Sequence, residues 1–541
     1  MPTCADVVAR TLREAGVTRI FGLPGGEILG FVEAARRAGI RFILTRHEAH
    51  AAFMADATGQ LTRRPGVCVS TLGPGAVNLA LGVANAWLDR SPVIAITATH
   101  TRASAPYATH QNLDLNAVYR PFTKVTRTID GADTAAKVAH AINLSLAPRM
   151  GPVHLALPAD VAAAEECDAG QWIAPAVPAP AGPASDEDIA QLAAIVRSAR
   201  RPVVILGLDL DPFEDGPGIR EFVEAFGAPV FVTPKAKGLL SEDHPLFCGV
   251  CAGVSADAEI LDFFQRADLL VGIGFDPVES DKLWHYTMRL VSIGPMSISA
   301  RAYRPMAECV GELHHTLDRL RRETFGPFDW TEGDRQGVRD AVESALRPAA
   351  PPDGLSGYEL TRRLRDLFPR ETIFVTDVGS VKMVTTQAWR SYEPLTFLES
   401  NGLSAMGYSL PAAIAARLEH PDRPVLCTVG DGGFGMTLAE IETCVRERVR
   451  LVVVVFNDSS LSLIDVAQQR RGYPTVGVRH APVDFAAAVV GFGAWGRRVA
   501  RLDELEDAVR AARQVDGPAV LDIVVDPAEY VRQTAGHRAG A

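Results

Sequence analysis

The 541-residue sequence lacks the features of a membrane, secreted or nucleic-acid-binding protein. It has no apolar run long enough to cross a bilayer. Its first residues, MPTCADVVARTLREAG, contain no basic segment followed by an apolar core, which a secretory signal would require. The net charge is −11 and no basic stripe is present. These absences argue against nucleic acid and anionic membranes as partners.

Closely spaced cysteines are also scarce. The eight cysteines are scattered along the chain, and Cys248 and Cys251 form the one close pair. A single C-x-x-C pair without a second pair of ligands is weak evidence for a metal or redox site. Scattered, unpaired cysteines are typical of a reducing compartment. We therefore expect a cytoplasmic protein.

Alternating strands and helices dominate the sequence and predict an α/β fold with doubly wound parallel sheets. Two stretches rich in proline and alanine or glycine, 167–187 and 347–357, have the composition of linkers. They divide the chain into three predicted domains, 1–165, 186–346 and 356–541. No packing pattern is visible after Tyr530.

A stretch near the C-terminus combines a strand–turn–helix–strand pattern with an acidic residue at each strand end. The apolar run Pro424–Val429 breaks at Gly430-Asp431-Gly432-Gly433, and the run Leu451–Phe456 is followed by Asn457 and Asp458. Because parallel strands end at the same edge of a sheet, we expect Asp431 and Asp458 to converge. Carboxylate oxygens beside glycine N–H groups suit Mg²⁺ with a diphosphate.

The same turn allows two other interpretations. Gly430, Gly432 and Gly435 satisfy the GxGxxG fingerprint of dinucleotide-binding folds. A tight turn with a purely structural role would leave a similar pattern. Under the dinucleotide interpretation Asp431 has no assigned role, and this segment alone does not decide among the three.

The N-terminal domain has its own candidates at predicted strand ends. Glu48 falls in the first turn of a predicted helix, where an acid can also serve only the helix dipole. The turn Gly73–Asn78 follows a predicted strand, at the edge where α/β sheets bind ligands. The segment Thr109–Lys124 has the composition of a surface loop. The central domain shows no comparable glycine-rich turn for a phosphate.

Longer motifs occur in order along nearly the whole chain: FGLPGG (21–26), RHEAHAAFMA (46–55), STLGPGAVNLALGVANAWLDRSPV (70–93), THQNLDLNAVYRPFTK (109–124), GPVHLALPADV (151–161), SNGLSAMGYSLPAAIAA (400–416) and GDGGFG with NDSS (430–460). Together they resemble the thiamine diphosphate enzymes, most closely the acetolactate synthase branch. The resemblance disfavours the dinucleotide interpretation of the Gly430 turn.

The resemblance implies a cofactor held at two ends. Glu48 would bind the pyrimidine of thiamine diphosphate and promote its activation, and Met406 would support the bent form of the cofactor. The metal ligands would be Asp431, Asp458 and the backbone carbonyl of Ser460, with Mg²⁺ bridging the phosphates. Other implied cofactor contacts are Gly73, Pro74, Asn78, Gly379, Ser380, Gly430, Gly432 and Gly433.

The substrate side is implied by the same resemblance. Gln111 and Lys124 match residues that meet a 2-oxo acid, and His110 adjoins them. Three places depart from the branch. Val381 stands where a histidine often contacts the diphosphate, and Ala467 replaces a tryptophan that helps choose the acceptor. Residues 276–279, Asp-Pro-Val-Glu, resemble the flavin-free forms, so FAD is possible but not favoured.

We therefore predict a thiamine diphosphate and Mg²⁺ enzyme that decarboxylates a 2-oxo acid, pyruvate foremost, and transfers the two-carbon unit to an acceptor. The alternatives are a decarboxylase or carboligase with a larger acceptor, a carboxyethylarginine synthase-like condensation, and a non-catalytic cofactor-binding paralogue. Retention of Glu48, Asp431 and Asp458 argues against the last. By resemblance we expect a homodimer or homotetramer with active sites between subunits.

Overall fold

The computed structural model describes residues 1–166, 182–251, 255–279, 288–299, 303–349 and 354–534. Residues 167–181 of the first predicted linker and 350–353 of the second lie outside the described residues. Within the described ranges, no helix combines the length and apolar character needed to cross a membrane.

The N-terminal sheet contains six parallel strands. They are β1 (Arg19–Leu23), β2 (Arg41–Leu44), β3 (Gly66–Ser70), β4 (Val93–Thr99), β5 (Thr126–Thr128) and β6 (Val153–Pro158). The flanking helices are α1 (Cys4–Glu14), α2 (Leu29–Arg37), α3 (Glu48–Thr62), α4 (Pro74–Leu88), α5 (Leu115–Tyr119), α6 (Thr134–Leu146) and α7 (Ala159–Ala163). The strand order is β2-β1-β3-β4-β6-β5. Strands β3 and β6 are buried along their whole length, as expected where helices cover both faces of a parallel sheet.

The central sheet also has six parallel strands. They are β7 (Pro202–Leu206), β8 (Val230–Val232), β9 (Phe247–Val250), β10 (Leu269–Ile273), β11 (Leu290–Gly294) and β12 (Ala307–Val310). Its helices are α8 (Asp186–Ser198), α9 (Gly216–Phe226), α10 (Asp257–Phe264), α11 (Leu313–Leu320) and α12 (Glu332–Leu346). The order β12-β11-β10-β7-β8-β9 is that of dinucleotide-binding sheets, with the switch point between β7 and β10.

The C-terminal sheet repeats the strand order of the N-terminal one. Its six strands are β13 (Ile373–Thr376), β14 (Phe397–Glu399), β15 (Val425–Gly430), β16 (Leu451–Asn457), β17 (Trp495–Val499) and β18 (Pro518–Val524), in the order β14-β13-β15-β16-β18-β17. Its helices are α13 (Gly357–Leu367), α14 (Ser380–Ala388), α15 (Ser409–Glu419), α16 (Asp431–Thr437), α17 (Glu440–Arg446), α18 (Ser462–Arg470), α19 (Phe485–Val490), α20 (Leu505–Gln514) and α21 (Tyr530–Gln533). The three sheets confirm the predicted α/β fold.

Contacts divide the chain into two compact units. The first contains the described residues up to 166 together with 402–421 and 436–451, and the second contains the described residues of 182–401, 422–435 and 452–534. Helices α15 and α17 therefore belong to the first unit, in which α15 packs against α3.

Residues just after Tyr530 are packed although the sequence shows no packing pattern there. Helix α21 begins at that residue, and the Tyr530 side chain is buried. The side-chain amide Nε2 of Gln533 donates to the backbone carbonyl of Leu346 at 2.7 Å. A four-residue helix is too short to show a recognisable period, which is why the sequence did not reveal it.

Candidate active site

Glu48 begins helix α3 and is held by a residue of the neighbouring helix. The side chain of His47 caps the helix by accepting the N–H of Ala49 at 3.1 Å. The Glu48 carboxyl is buried and accepts a hydrogen bond from the amide of Asn78 at 3.0 Å. A Cβ at Gly75 would lie 3.0 Å from Glu48 Oε1, so glycine there leaves room for the carboxyl. Two sequence-predicted residues, Glu48 and Asn78, are thus brought together.

The Gly73 turn places Gln111 beside the start of α4. Gly73 has φ of 61°, and Pro74 is the first residue of the helix. A Cβ on Gly73 would lie 2.7 Å from Cβ of Gln111, so the close approach requires glycine. His110 is exposed, and its carbonyl accepts a hydrogen bond from His100 Nε2 at 2.8 Å. Gln111 therefore lies at the turn, and its neighbour His110 lies at the surface.

Lys124 lies at a different place from Gln111. Its ammonium donates to the carbonyls of Ala147 and Arg149, both at 2.9 Å, just beyond the C-terminus of α6. Carbonyls at a helix end favour a cation. Burial nevertheless lowers the pKa of Lys124 to about 8. These contacts direct the ammonium toward the backbone and not toward the Gly73 turn.

Met406 lies on a segment anchored to α3. Its neighbour Gly407 has φ of 83°, and Tyr408 is fully buried. The Tyr408 hydroxyl accepts a hydrogen bond from Gln60 at 3.3 Å, and its ring packs edge-on against Phe53 at 5.6 Å. Met406 itself is half-buried, unlike a methionine of the core. The segment therefore presents Met406 from the unit that contains Glu48.

In the second unit, Asp431 and Asp458 converge at the ends of β15 and β16. Asp431 Oδ2 accepts the N–H of Asp458 at 3.1 Å and that of Ser459 at 2.5 Å, while Oδ1 accepts the N–H of Gly432 at 2.7 Å. Asp458 accepts the N–H of Ser460 at 3.0 Å. The two strands are direct neighbours, which is why residues 27 positions apart meet.

The charge on these two acids is not balanced by a lysine or arginine among their contacts in the described chain. Burial, together with the charge of Asp431, raises the pKa of Asp458 to about 7. Burial also raises the pKa of Asp431. A buried and a half-buried carboxylate this close suit a divalent cation, which would favour their ionised forms.

The residues around the acid pair fit Mg²⁺ and a diphosphate. No group of three or more His, Cys, Asp or Glu side chains capable of holding a metal occurs in the described ranges. A metal here would need backbone and phosphate oxygens, which Mg²⁺ accepts. Among the described residues, Ser460 Oγ is buried without a hydrogen-bond partner. A Cβ at Gly433 would lie 2.3 Å from Asp377 Oδ2, so only glycine fits this turn.

The turn before α14 is a further candidate anion-binding turn of the second unit. Gly379 has φ of 116°, a Cβ there would meet no atom within 4 Å, and Ser380 begins the helix. Helix N-termini favour anions such as phosphates. Gly435, the third glycine of the GxGxxG pattern, likewise has open space at its Cβ. That position should pack helix against strand in a dinucleotide fold, so the pattern lacks one of its physical requirements here.

At the switch point of the central sheet, a buried carboxyl occupies backbone N–H groups that follow the strands. Glu279 follows β10, is buried, and accepts the N–H of Leu208 at 3.0 Å and that of Lys235 at 3.2 Å. These N–H groups follow β7 and β8, where a dinucleotide diphosphate would bind. The protein's own carboxyl already uses them. Burial raises the pKa of Glu279 to about 8.

Three contributors to the site were not identified from the sequence. Glu440 is buried in the first unit and contacts the start of α3. In the second unit, Tyr530 is hydrogen-bonded to Ser380, and His480 lies beside Asp431. Each is far in sequence from its partner, and no local pattern marks it.

Comparison with known proteins covers most of the chain. Residues 2–118 match the thiamine pyrophosphate enzyme N-terminal TPP binding domain, residues 189–320 the central domain, and residues 377–523 the C-terminal TPP binding domain. The matched central range includes strands β7–β12. The candidate cofactor residues described above are divided between the two TPP-binding ranges.

Full-length relatives agree with these matches. The chain is 32% identical over 539 residues to an acetolactate synthase of Bacillus subtilis, covering 97% of this chain and 94% of that protein. It is 30% identical to a catabolic acetolactate synthase of Raoultella terrigena, covering 96% and 95%. A probable 2-ketoarginine decarboxylase of Pseudomonas aeruginosa is 29% identical, with 96% and 94% covered.

Proposed function

Because the chain belongs to the thiamine pyrophosphate enzymes, of the acetolactate synthase-like kind, we propose that it uses thiamine diphosphate and Mg²⁺ to decarboxylate pyruvate and join the two-carbon unit to an acceptor. With a second pyruvate as acceptor, the product is 2-acetolactate. The observation that carries the proposal is the buried Glu48 carboxyl, fixed by Asn78 at the start of α3. A non-catalytic paralogue would have no need to keep it.

Bound thiamine diphosphate supplies a nucleophilic carbon and then an electron sink. The chain's own part is to hold and activate it. Glu48 would share a proton with the pyrimidine, and Asn78 would keep its carboxyl oriented. Asp431, Asp458 and the Ser460 carbonyl would hold Mg²⁺, and the turn at Gly432 and Gly433 and the Gly379–Ser380 turn would lie against the diphosphate. Met406 would support the cofactor from its anchored segment.

Gln111 is the best-placed candidate on the substrate side. It lies against Gly73, at the turn that leads to Asn78 and so to Glu48. An amide at this position can donate to a carboxylate or carbonyl oxygen of a 2-oxo acid. His110 and Lys124 remain substrate-side candidates by resemblance alone. His110 is an exposed neighbour of Gln111, and Lys124 is a cation near the end of α6.

A second candidate substrate class is a larger 2-oxo acid or acceptor. Ala467 lies half-buried on α18, where a tryptophan would fill far more space. One relative is named as a probable 2-ketoarginine decarboxylase, and that name fits this class of substrate. A small side chain at 467 supports this candidate.

A homodimer or homotetramer completes the proposal. Val77 and Leu81 are 47% exposed on one face of α4, the helix that also presents Asn78. Exposed apolar side chains on one helix face favour association. Mass photometry at several concentrations measures the state directly, and a monomer at micromolar concentration would contradict this part of the proposal.

The function is tested by incubating the enzyme with thiamine diphosphate, Mg²⁺ and pyruvate, alone and with candidate acceptors. Products are identified by mass. We expect 2-acetolactate from pyruvate alone, and Glu48→Gln should remove nearly all turnover while cofactor binding stays measurable. Full turnover by Glu48→Gln would refute the assigned role, and turnover only of a larger 2-oxo acid would favour the second candidate.

A further inference from the structure

His480 lies beside the acid pair in the second unit. Its Nε2 atom is 3.6 Å from Oδ1 of Asp431, and its side chain is 36% exposed. The other ring nitrogen lies 3.4 Å from the carbonyl of Ala481. The imidazole therefore stands at the rim of the buried carboxylates, with one edge facing them and the other facing the backbone.

Backbone contacts fix the position of His480. Its N–H donates to the carbonyl of Ser459 at 3.1 Å, and the N–H of Leu461 donates to the carbonyl of Val478 at 2.7 Å. Ser460 and Arg479 form an antiparallel bridge between these two contacts. The segment 478–480 is thus paired with residues 459–461, which include the proposed metal ligand Ser460.

A side-chain contact adds to this pairing. Asp465, on α18, accepts hydrogen bonds from Thr475 Oγ1 at 2.8 Å and from Arg479 at 3.3 Å. The segment that carries His480 is therefore attached both to the loop after β16 and to the helix that follows it. With its backbone held this way, His480 has only its ring to order when it binds a ligand.

The two oxygens of Asp431 show which side a ligand would approach. Oδ2 is used by two backbone N–H groups, of Asp458 and Ser459. Oδ1 is shared by the N–H of Gly432 and the approach of His480. His480 is consequently on the same side of Asp431 as the N–H of Gly432.

Val381 borders the same turn but cannot donate a hydrogen bond. It is buried, and its Cγ1 would lie 3.9 Å from a Cβ on Gly430. Two side chains thus border the turn around Asp431: the imidazole of His480 and the aliphatic side chain of Val381. Of these two side chains, only the imidazole can donate a hydrogen bond to a phosphate oxygen.

We propose that His480 donates a hydrogen bond to the diphosphate of the bound cofactor. The inference rests on the proposed function, because it assigns a residue to the same Mg²⁺–diphosphate site. Mg²⁺ prefers oxygen ligands, so the imidazole meets a phosphate oxygen and not the metal. A hydrogen bond to a charged phosphate is stronger than one between neutral groups.

The test is calorimetric titration of the apoenzyme with thiamine diphosphate at saturating Mg²⁺ and one fixed pH. His480→Ala should raise the dissociation constant about tenfold, the value of one hydrogen bond to a charged group. His480→Gln keeps a donor and should stay within about threefold of the unmodified enzyme. Tyr473→Ala, an exposed change in the same loop, is the matched control and should bind normally.

The outcomes separate this inference from the proposed function. Asp431→Ala should abolish binding that depends on Mg²⁺. If it does, and His480→Ala binds as tightly as the unmodified enzyme, only the His480 assignment is overturned. If His480→Ala changes the Mg²⁺ concentration needed but not the affinity for thiamine diphosphate, the imidazole acts on the metal and the inference is wrong. If the unmodified enzyme does not bind thiamine diphosphate, both proposals fail.

Discussion

Glu440 and His50 form a buried pair at the start of the helix that begins with Glu48. His50 Nδ1 lies 2.8 Å from Oε1 of Glu440, whose side chain has no exposed surface. The same oxygen accepts the N–H of Arg46 at 2.8 Å, and Oε2 accepts a hydrogen bond from Thr443 at 2.6 Å. Glu440 therefore connects the residues on both sides of Glu48.

Glu440→Gln should lower kcat while cofactor affinity is retained. Glutamine keeps an oxygen for the Arg46 N–H and the His50 ring but removes its charge, so both hydrogen bonds weaken and the first turn of α3, with Glu48, is held less firmly. We expect a loss of about tenfold in kcat, corresponding to one buried hydrogen bond. Steady-state kinetics and a calorimetric titration with thiamine diphosphate measure the two quantities separately.

Glu33→Gln is the control for this change. Glu33 is in the same unit but is exposed and pairs with Arg36 at the surface. It should leave kcat within about twofold, as surface ion pairs contribute little. If Glu440→Gln lowers cofactor affinity and kcat equally, or neither, Glu440 does not position Glu48.

Asp458→Asn should raise the melting temperature of the metal-free enzyme and remove its response to Mg²⁺. At pH 8 both Asp431 and Asp458 must ionise in a buried site, and their repulsion destabilises the apoenzyme. Removing one charge relieves this cost. Differential scanning calorimetry with EDTA, and then with Mg²⁺ and thiamine diphosphate, measures both effects.

Asp507→Asn, a change at an exposed aspartate, should show the unmodified response to Mg²⁺. An Asp458→Asn protein that still gains stability with Mg²⁺ and thiamine diphosphate would place the metal elsewhere.

The acid pair was predictable from the sequence because only neighbouring parallel strands were needed to bring Asp431 and Asp458 together. The three sheets were predictable for the same reason, since buried strands and amphipathic helices alternate along the chain. Glu48 and Asn78 follow from this topology as well, because each begins or continues a helix directly after a strand. The features that depend on local patterns and on neighbouring strands were therefore predictable from the sequence.

The supporting contacts depend on the path of the whole chain. Glu440 meets His50 across 390 positions, and no periodicity connects them. Gly433 is required by the nearby carboxyl of Asp377, a steric fact that a glycine-rich turn alone does not specify. Lys124 was assigned to the substrate side by resemblance, but the backbone carbonyls at the end of α6 determine where its ammonium lies.

Glu279→Gln should flatten the pH dependence of stability between about pH 5 and 8. Burial raises the pKa of Glu279 from 4.5 to about 8, so the folded protein holds a proton there that the unfolded chain releases above pH 4.5. The stability this proton provides is fully present below pH 4.5 and is lost as the pH rises toward 8. The slope from this one group approaches about 1.4 kcal/mol per pH unit.

Apparent melting temperatures of Glu279→Gln and the unmodified enzyme, compared across this range, provide the measurement. The slope is the readout because glutamine loses one N–H···O contact at every pH. Glu308→Gln, at a half-buried glutamate that contacts Ser297 and Ile298, is the control and should keep the original slope. An unchanged slope in Glu279→Gln would show that its carboxyl is ionised throughout.

Gln111→Ala and Lys124→Met should separate substrate binding from stability. Gln111 lies at the Gly73 turn, so its loss should raise KM for pyruvate about tenfold with little change in melting temperature. Lys124 is bound to two carbonyls beyond α6, so its loss should lower the melting temperature and leave KM nearly unchanged. The carbonyls of Ala147 and Arg149 would lose their cationic partner. Methionine is chosen because it is similar in length to lysine, so the substitution removes mainly the charge. A tenfold higher KM in Lys124→Met, with unchanged stability, would instead assign the ammonium to the substrate and require it to leave these carbonyls during catalysis.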